Sequence, residues 1–534
     1  MTDFDYIIAG GGTAGSVLAA RLTEDPAVRV LVLEAGTGRR SLMHRVPAGV
    51  LSLYQSGRYH WDYRSEPEEL AAGRSYPYKM GKGLGGSSSI NALLWVRGAP
   101  GVFDSWAADG AVGWSWRDVE PIFRRVESFD DSTDPHMGLS GPIAVSRGNP
   151  QSSMFNEAFL EAGVEAGLAF NDNYNGPDQE GIAVLHRNTR GGERSDVWTE
   201  YLRPCIGRPN LVIRCDTPVD RLVVEAARVT GVVVRSGGRH ETVHATREIL
   251  LCAGAIGSPQ LLMLSGIGDP GALAPYGIEV RHELPGVGAN LHTHPTIRCG
   301  YTARKAEKLA SWTRPPKNWL AGVRWLVDRK GVASTNHMDV GCFLRSGNDA
   351  PWPDIQMTFT PMLVGMTYAD ALADGFGVYT ELVGIKSRGT VRLRSADPQA
   401  LPRFSFNFLA EERDRETFRA GTGMIRDIVS QPAFDGLRGR EIDPGATVTS
   451  PADLDRWVSG SIGITHHLAG TCRMGAPGDP RSVVGPDLRL LGLDGLRIAD
   501  NSIMPRVTSG NTHAPAIMIG EKASDLITGE RNAP

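Results

Sequence analysis

The sequence predicts an α/β protein with a Rossmann-like domain for a dinucleotide and a second domain built around another sheet. Three observations lead to this prediction. Residues 5–36 read as strand, glycine turn, helix and strand. Residues 300–460 differ in texture, and their methionine-aromatic stretch Met357–Tyr368 is more typical of the core of a second sheet domain than of the wall of a substrate cavity. The chain has 534 residues, too many for one ordinary hydrophobic core.

A glycine-rich turn joins the first strand to the first helix. The apolar run Tyr6–Ala9 leads into Gly10, Gly12 and Gly15, which match the pattern G-x-G-x-x-G. Gly10 permits the tight turn, Gly12 lets a pyrophosphate approach the backbone, and Gly15 lets helix and strand pack closely. The pattern therefore predicts that this turn binds phosphate groups.

The rest of the unit completes the prediction of a dinucleotide site. Thr13 and Ala14 lie in the turn at the helix start, where free N–H groups and the helix dipole attract phosphate. The second strand, Val28–Leu33, ends at Glu34, which lies 19 residues after Gly15. A carboxylate there can accept hydrogen bonds from an adenosine ribose. Because both strands, the helix and the acid are in register, we favour this interpretation over a purely structural unit.

Composition excludes several classes of protein. The 56 basic and 60 acidic residues give a net charge of −4, with no long block of like charge, which argues against nucleic acid as a partner and against an electrostatic membrane anchor. No signal peptide or membrane span is recognisable. The six cysteines lack C-x-x-C spacing and indicate buried thiols in a reducing, cytoplasmic setting. Oligomeric state stays open.

Local patterns predict further elements between residues 211 and 264. Short strands are expected at Leu211–Ile213, Val219–Val224 and Val232–Val234, and a buried strand at Arg247–Gly254. A helix is expected to begin at Ser258 and Pro259, with the serine as cap and the proline in the first turn, and to stop at Gly266.

Three further segments resemble the glucose–methanol–choline (GMC) oxidoreductases, and within them the bacterial choline-dehydrogenase-like branch. Residues 81–91 (GKGLGGSSSIN) look like the first signature of that family, and residues 254–268 (GAIGSPQLLMLSGIG) look like the second. The C-terminal runs 466–475 (HHLAGTCRMG) and 497–505 (RIADNSIMP) complete the pattern. With the N-terminal turn these motifs span most of the chain in the family order.

The resemblance implies FAD at the glycine turn and a second, α+β domain with an antiparallel sheet that covers the flavin. It also implies discontinuous domains. The FAD-binding domain is expected to comprise residues 1–150, 190–295 and 462–534, the last carrying the catalytic pair, and the substrate domain residues 151–189 and 296–461.

The resemblance also implies the residues that hold FAD beyond the first turn. In the segment 81–91 these are Gly81, Gly85, Gly86, Ser87 and Asn91, where small residues let backbone N–H groups reach the flavin or the diphosphate. Asp500 suits the ribityl hydroxyls, Asn511 and Thr512 suit the pyrimidine edge, and Val219 would meet the adenine through its backbone. A helix is expected from about Pro515 to Leu526, with its N-terminus toward the reduced flavin.

Some members of the family attach their flavin through a histidine just before the asparagine of the first signature. That position is Ile90 here. A hydrocarbon side chain cannot form the bond, so non-covalent FAD is predicted.

Two histidines carry the predicted chemistry. His467 lies in H-x-x-G-T and matches the family's catalytic base, and His513 matches the second member of its His–His or His–Asn pair. Oxidation of an alcohol requires removal of the hydroxyl proton, and imidazole titrates near the working pH. A second group must hold the oxygen so that the C–H bond points at flavin N5. His466 is expected to point elsewhere and to be structural.

The expected reaction is oxidation of an alcohol, most simply a primary alcohol with an uncharged body, to the aldehyde. Dioxygen or another acceptor would then reoxidise the flavin. Gln356 and Phe359 are candidate substrate contacts. They are three residues apart, so strand alternation would place them on opposite faces and only one of them is expected to reach the substrate.

Other uses of the fold stay open. Hydroxynitrile lyases use the same fold and flavin with a histidine base and no net redox chemistry, and a light-driven fatty-acid decarboxylase needs a long apolar tunnel instead. His292 and His294 form an H-x-H pair, but no third ligand is nearby in the sequence, so no metal site is predicted. Thr293 stands where the family usually has Asp.

Overall fold

The computed structural model describes residues 4–129, 133–305, 307–363 and 374–531. Two large sheets organise the chain, and they confirm the predicted fold class. Two predicted domain limits, the start of segment 1–150 and the end of segment 462–534, lie outside the described residues. In chain order the helices are α1 (Thr13–Leu22), α2 (Val50–Gln55), α3 (Pro100–Ala108), α4 (Trp116–Val126), α5 (Met154–Glu165), α6 (Gly254–Leu264), α7 (Pro270–Leu273), α8 (Lys317–Asp328), α9 (Glu412–Ser430), α10 (Pro451–Ser461) and α11 (His513–Arg531).

Short strands and long strands both occur. They are β1 (Phe4–Ala9), β2 (Val30–Leu33), β3 (His60–Arg64), β4 (Pro77–Gly81), β5 (Glu127–Phe129), β6 (Ile143–Arg147), β7 (Gly181–Val184), β8 (His186–Arg187), β9 (Thr189–Arg190), β10 (Glu193–Arg194), β11 (Leu211–Arg214), β12 (Val219–Glu225), β13 (Arg228–Ser236), β14 (Arg239–Leu251), β15 (Ile267–Gly268), β16 (His282–Glu283), β17 (Pro295–Ala303), β18 (Val340–Leu344), β19 (Ile355–Thr360), β20 (Phe376–Leu382), β21 (Thr390–Arg392), β22 (Arg403–Ser405), β23 (Arg438–Asp443), β24 (Gly463–Ile464) and β25 (Leu496–Ile498).

The first sheet is parallel at its centre. Its strand order is β11-β2-β1-β14, with β25 also parallel to β14. The long β14 continues into an antiparallel extension with β13 and β12. The central strands are buried along their length, as the apolar runs predicted. Strands from distant parts of the chain thus meet in one sheet whose carboxyl ends point toward the same edge.

Several element boundaries differ from the sequence prediction; the buried strand expected at Arg247–Gly254, for example, is part of β14 and ends at Leu251. The strand expected from Val28 begins at Val30, because the Val28 N–H closes a turn on Asp25. The helix expected from Ser258 begins at Gly254 and keeps Pro259 inside it. Proline leaves the carbonyl four residues earlier unpaired, and the Thr471 hydroxyl donates to that Ala255 oxygen at 2.7 Å.

The last helix is also longer than expected. α11 begins at His513 rather than near Pro515, and it continues past Leu526 to Arg531. Pro515 lies within the first turn, where a helix needs no intrahelical N–H donor. His513 is therefore the first helical residue, which fixes where its side chain lies.

The second sheet is antiparallel, in the order β23-β17-β20-β19-β18-β7, with β24 paired to β17. One face packs against α5 and α9 and forms a separate hydrophobic core. Because Gly463 and Ile464 pair with Thr296 and Pro295, this sheet extends two residues into the segment expected for the first domain.

Side chains of β19 alternate between the two faces of the second sheet. Ile355, Met357 and Phe359 lie in the core behind the sheet, whereas Thr358 and Thr360 line a cavity in front of it. Among the described residues, no helix is both long enough and apolar enough to cross a bilayer.

Candidate active site

One cavity of about 560 Å³ runs between the carboxyl edge of the first sheet and the front face of the second. Its walls contain most of the predicted cofactor residues at one end and the two histidines predicted to be catalytic at the other. Predicted residues on its surface are Gly10, Gly12, Thr13, Ala14, Glu34, Gly81, Gly86, Ser87, Asn91, Val219, Asp500, Asn511, Thr512, His467 and His513. Gly15, Gly85, Gln356 and Phe359 lie behind this surface.

The N-terminal glycines differ in what surrounds them. Gly10 has a φ of +112°, and a Cβ there would lie 2.4 Å from the Cys252 carbonyl oxygen. A Cβ on Gly15 would lie 2.0 Å from the Gly10 oxygen. A Cβ on Gly12 would meet nothing nearer than 3.9 Å, because this residue borders the open cavity. The arrangement is the one a close-approaching phosphate requires.

Two buried carboxylates hold backbone turns beside the cavity. Glu34 accepts from the N–H groups of Gly11 at 2.9 Å, Gly36 at 2.7 Å and Gly83 at 3.0 Å. Burial raises the pKa of Glu34 although these donors oppose the shift. The carboxylate therefore ties both glycine turns together as well as bordering the predicted ribose position.

Asp500 has a comparable role at the start of α6. It accepts from the Gly254 N–H at 2.8 Å, the Ser258 hydroxyl at 2.6 Å and the Ser502 N–H at 2.8 Å. Burial again raises the pKa of this carboxyl. Both predicted carboxylates border the cavity, but neither is free of protein partners.

The second glycine turn packs directly on the first. The Gly85 N–H donates to the Gly11 carbonyl at 2.8 Å, and a Cβ on Gly86 would lie 2.8 Å from Gly12 Cα. Ser87 accepts from the Gly81 N–H at 3.0 Å and is exposed to the cavity. The two turns together form a backbone-lined cradle.

Asn91 and Ile90 follow the cradle. Asn91 Oδ1 accepts from Arg194 Nη1 at 2.5 Å, which fixes the amide at the cavity wall. Ile90 is only 2 % exposed and is not part of that wall. This position therefore offers no side chain for covalent attachment of a cofactor.

His467 is held at the other end of the cavity by both ring nitrogens. Its Nε2 lies 3.2 Å from Asn511 Nδ2, and its Nδ1 lies 3.0 Å from both His294 Nδ1 and the Thr465 hydroxyl. Since the Asn511 NH₂ group can only donate, Nε2 must carry a lone pair and the ring proton must be on Nδ1. His467 thus presents an unprotonated nitrogen beside the cavity.

The surroundings keep this histidine neutral. Desolvation, with lesser contributions from His294 and His466, holds the pKa of His467 well below its usual range. Burial likewise lowers the pKa of His294 to about 3. A neutral imidazole is the form that can accept a proton.

The structure gives the place beside His467 to Asn511, not to His513 as the sequence analysis expected. His513 is 8 % exposed, and within the described part of the chain neither of its ring nitrogens has a hydrogen-bond partner. Its ring contacts Trp95 edge to face at 5.6 Å, and burial lowers its pKa to about 3. The cause is the start of α11 at His513, since Asn511 lies in the loop that precedes the helix.

His466 is the neighbour of His467 in the sequence but lies in a different environment. Its ring contacts Tyr54 and Tyr78 at centroid distances of 5.6 and 4.9 Å. Burial lowers its pKa to about 4. It borders the cavity without contacting His467's partners, which fits the expected structural role.

The substrate candidates occupy two different places. Phe359 stacks on Phe159 at 4.7 Å in the core behind the second sheet and does not reach the cavity. Gln356 is on the cavity side but completely buried, and its Nε2 donates to Asn511 Oδ1 at 3.1 Å. Thr296, Thr358 and Thr360 line the cavity there instead.

Glu381 is a cavity residue that the sequence did not predict. It lies on β20 opposite Gln356, borders the cavity and is 7 % exposed. Burial raises its pKa to about 8, which favours the neutral carboxyl at pH 7. It belongs to no motif, and only the alternation of β20 after an unremarkable apolar run could have indicated that it faces forward.

The H-x-H pair does not act as a unit. His292 turns away, with its Nε2 accepting from the Val507 N–H at 2.7 Å, while His294 contacts His467. Ligand atoms of His294, Glu381 and His467 lie within 4.8 Å of one another. Because the imidazoles of His294 and His467 are already hydrogen-bonded to each other, we assign the three side chains to a hydrogen-bond network around His467 and not to a metal site.

The residues present fit a flavin dinucleotide. The cavity connects the glycine cradle, which is open at Gly12, with the buried His513. Neither ring nitrogen of His513 has a hydrogen-bond partner among the described residues. The N-terminus of α1 has no side-chain cap, which leaves its donors available to phosphate.

Comparisons with known proteins agree with this geometry. Models of the GMC oxidoreductases match residues 4–296 and 386–520. An oxygen-dependent choline dehydrogenase of Sinorhizobium medicae is 41 % identical over 531 residues, covering 99 % of this chain and 96 % of the relative.

Solved structures show the same fold over the whole chain. Pyridoxine 4-oxidase from Mesorbium loti superposes with a TM-score of 0.89 at 32 % identity and 100 % coverage of both chains. Formate oxidase gives 0.91 at 27 % identity and 99 % coverage of both. The chain therefore belongs to the family of GMC oxidoreductases, flavoproteins that bind FAD.

Proposed function

We propose that this enzyme oxidises a primary alcohol with an uncharged body to the aldehyde, with His467 as the base and Asn511 as the group that positions the alcohol oxygen. One observation carries the proposal. The unprotonated Nε2 of His467 and the amide NH₂ of Asn511 meet at 3.2 Å beside the cavity.

The two side chains have complementary roles toward an alcohol. A hydroxyl that binds beside both groups donates its O–H to His467 Nε2, and its oxygen accepts from Asn511 Nδ2. Bound FAD supplies the acceptor for the hydride that leaves the carbinol carbon. His467 takes the hydroxyl proton, and its Nδ1–H remains directed at His294, which stabilises the imidazolium.

The charge of the catalytic end supports the substrate class. His466, His467 and His513 have lowered pKa values, and the pKa of Glu381 is raised to about 8. All four shifts favour the neutral form of these groups at pH 7. A charged substrate body would lose its hydration in this site without gaining an ion pair. The site therefore favours an uncharged substrate body.

Relatives define which substrates and acceptors to test. Similar proteins are a choline dehydrogenase, a pyridoxine oxidase and a formate oxidase. We propose dioxygen or another small acceptor for the second half-reaction. All six cysteines are free thiols, which supports a reducing, cytoplasmic setting.

The direct test is anaerobic. Purified yellow protein is mixed with aliphatic, aryl and amino alcohols, including choline and pyridoxine, and the visible flavin band is followed before and after air is admitted. Bleaching by an uncharged primary alcohol is expected. Preferential bleaching by choline would contradict the uncharged substrate class, and cyanohydrin cleavage without any bleaching would replace oxidation by lyase chemistry.

The base is tested with His467→Ala. The variant should stay yellow but lose alcohol-dependent flavin reduction by a factor on the order of 10² to 10⁴, because no group accepts the hydroxyl proton. His244→Ala on β14 is the control, since His244 is exposed and remote from the cavity. Reduction of the His467→Ala flavin at the wild-type rate would refute the assignment.

A further inference from the structure

A buried chain of hydrogen bonds runs from the second sheet to the base. Gln356 lies on β19 with 0 % exposure, and its Nε2 donates to Asn511 Oδ1 at 3.1 Å. Asn511 Nδ2 in turn contacts His467 Nε2 at 3.2 Å. We propose that Gln356 is a positioning residue that fixes the amide of Asn511 with its NH₂ group toward the base and the alcohol oxygen.

The need for such a residue follows from the chemistry of an amide. Asn511 can present either a donor or an acceptor, because its two ends have nearly the same shape. If its oxygen faced His467, Nε2 would have to carry the proton, and the imidazole could no longer accept one from the alcohol there. Donation from Gln356 to Asn511 Oδ1 disfavours that arrangement, since two NH₂ groups would then face each other.

Gln356 is itself oriented by its neighbours. Its Nε2 also lies 3.5 Å from the Thr358 hydroxyl oxygen. That hydroxyl oxygen is the acceptor for Gln356, and the Thr358 side chain also hydrogen-bonds to the Glu381 carboxyl. The order of donation therefore runs from Gln356 to both Thr358 and Asn511, and then from Asn511 to His467.

The backbone leaves room for this amide. Gly510 has a φ of +145°, and a Cβ there would lie 3.1 Å from Gln356 Oε1 and 2.5 Å from Val96 Cγ1. The glycine thus lets the loop before α11 lie against the glutamine. Two segments that are 155 residues apart in the chain are joined at this contact.

The positioning role rests on the proposed function, and a double-mutant cycle tests it on FAD-loaded enzyme. Gln356→Met keeps the length of the side chain and removes the hydrogen bonds. We expect it to lower the limiting rate of flavin reduction about tenfold with little change in alcohol affinity. Asn511→Ala should lower that rate on the order of 10²-fold.

The cycle separates positioning from general damage. If Gln356 acts through Asn511, Gln356→Met costs nothing further in the Asn511→Ala background. An undiminished tenfold loss there would overturn the proposal. Met357→Leu, on the opposite face of β19, controls for disturbance of the strand and should stay within about twofold of wild type.

A second measurement does not depend on finding a substrate. In holoenzyme labelled with ¹⁵N-histidine, the His467 resonances are assigned by their loss in His467→Ala. We expect the wild type to show a protonated Nδ1 and a hydrogen-bonded Nε2, and Gln356→Met to show a shifted Nε2 signal or a proton transferred to Nε2. An identical His467 spectrum in both proteins would overturn the proposal, whereas failure of every alcohol to bleach wild type would count only against the proposed function.

Discussion

At the scale of single residues, the position where a helix begins determines which side chain contacts His467. The sequence places Asn511 and His513 two positions apart, and both residue types can orient an alcohol oxygen. Only Asn511 contacts His467, because His513 is already the first residue of α11 and its ring turns toward Trp95. The residue types in the sequence indicated His467 as the candidate base, whereas the backbone at the start of α11 determined that Asn511 and not His513 contacts it.

Glu381 gives a residue-scale prediction for stability against pH. Its folded pKa of about 8 lies above the ordinary value of 4.5, so the folded state holds its proton more tightly than the unfolded state. The stability that the folded state gains from this tighter proton binding is fully present below about pH 4.5 and is lost as pH rises through 8. Glu381→Gln, which is always neutral, should therefore gain stability relative to wild type on the order of a few kcal/mol between pH 5 and pH 9.

Urea unfolding of the holoenzyme across this range measures the difference. Glu161→Gln on α5 is the matched control, because Glu161 is exposed and far from the cavity. A difference between Glu381→Gln and wild type that stays constant with pH would show that the carboxyl titrates normally in the folded protein.

At the scale of elements, the N-terminal strand, turn and helix separate a binding glycine from a packing glycine. Gly12 borders the cavity with ordinary backbone angles, φ −74° and ψ −158°, whereas Gly15 is pressed against the Gly10 carbonyl. The same residue type therefore serves two purposes within one motif.

This distinction predicts opposite effects for two alanine substitutions. Gly12→Ala should leave the unfolding of the apoprotein unchanged but weaken FAD binding at least about tenfold, because the methyl group occupies the space that phosphate approaches. Gly15→Ala should destabilise the apoprotein by about 1–3 kcal/mol, since its Cβ would lie 2.0 Å from a backbone oxygen. FAD titration and thermal unfolding of both apoproteins provide the comparison, and equal loss of stability in the two variants would contradict it.

At the scale of the whole molecule, the cavity is a joint product of the two sheets. The first sheet supplies its phosphate end and the second supplies the threonines and Glu381 at the catalytic end. A group that fills the cavity contacts both sheets and should stabilise them together.

FAD is therefore expected to raise the stability of the entire fold and to remain removable. At a free concentration of 100 times its dissociation constant, the gain should be about 2.7 kcal/mol in a single unfolding transition. Acid precipitation should leave the flavin in the supernatant, because Ile90 cannot form a covalent bond to it. A yellow pellet would refute non-covalent binding. Unfolding of one sheet without the other in the FAD-bound protein would refute the joint stabilisation of the two sheets.

The sequence by itself determined the features that depend on local chemistry. The glycine turn, the buried parallel strands, the family and the presence of FAD follow from residue types at fixed spacing, since φ angles, strand burial and phosphate access are set within a few residues. The start of α6 could not be predicted from the sequence. Pro259 is tolerated inside this helix because Thr471, 212 positions away in the chain, donates to the carbonyl that the proline leaves unpaired.

Tertiary structure alone decided the composition of the catalytic end. His467, His294, Glu381, Gln356 and Asn511 come from separate segments, and no spacing in the sequence links them. Phe359 and Gln356 could be told apart only once the faces of β19 were known, since alternation says that they differ but not which one turns inward. Contacts between distant segments are fixed by the packing of the two sheets, and that packing is a property of the folded chain as a whole.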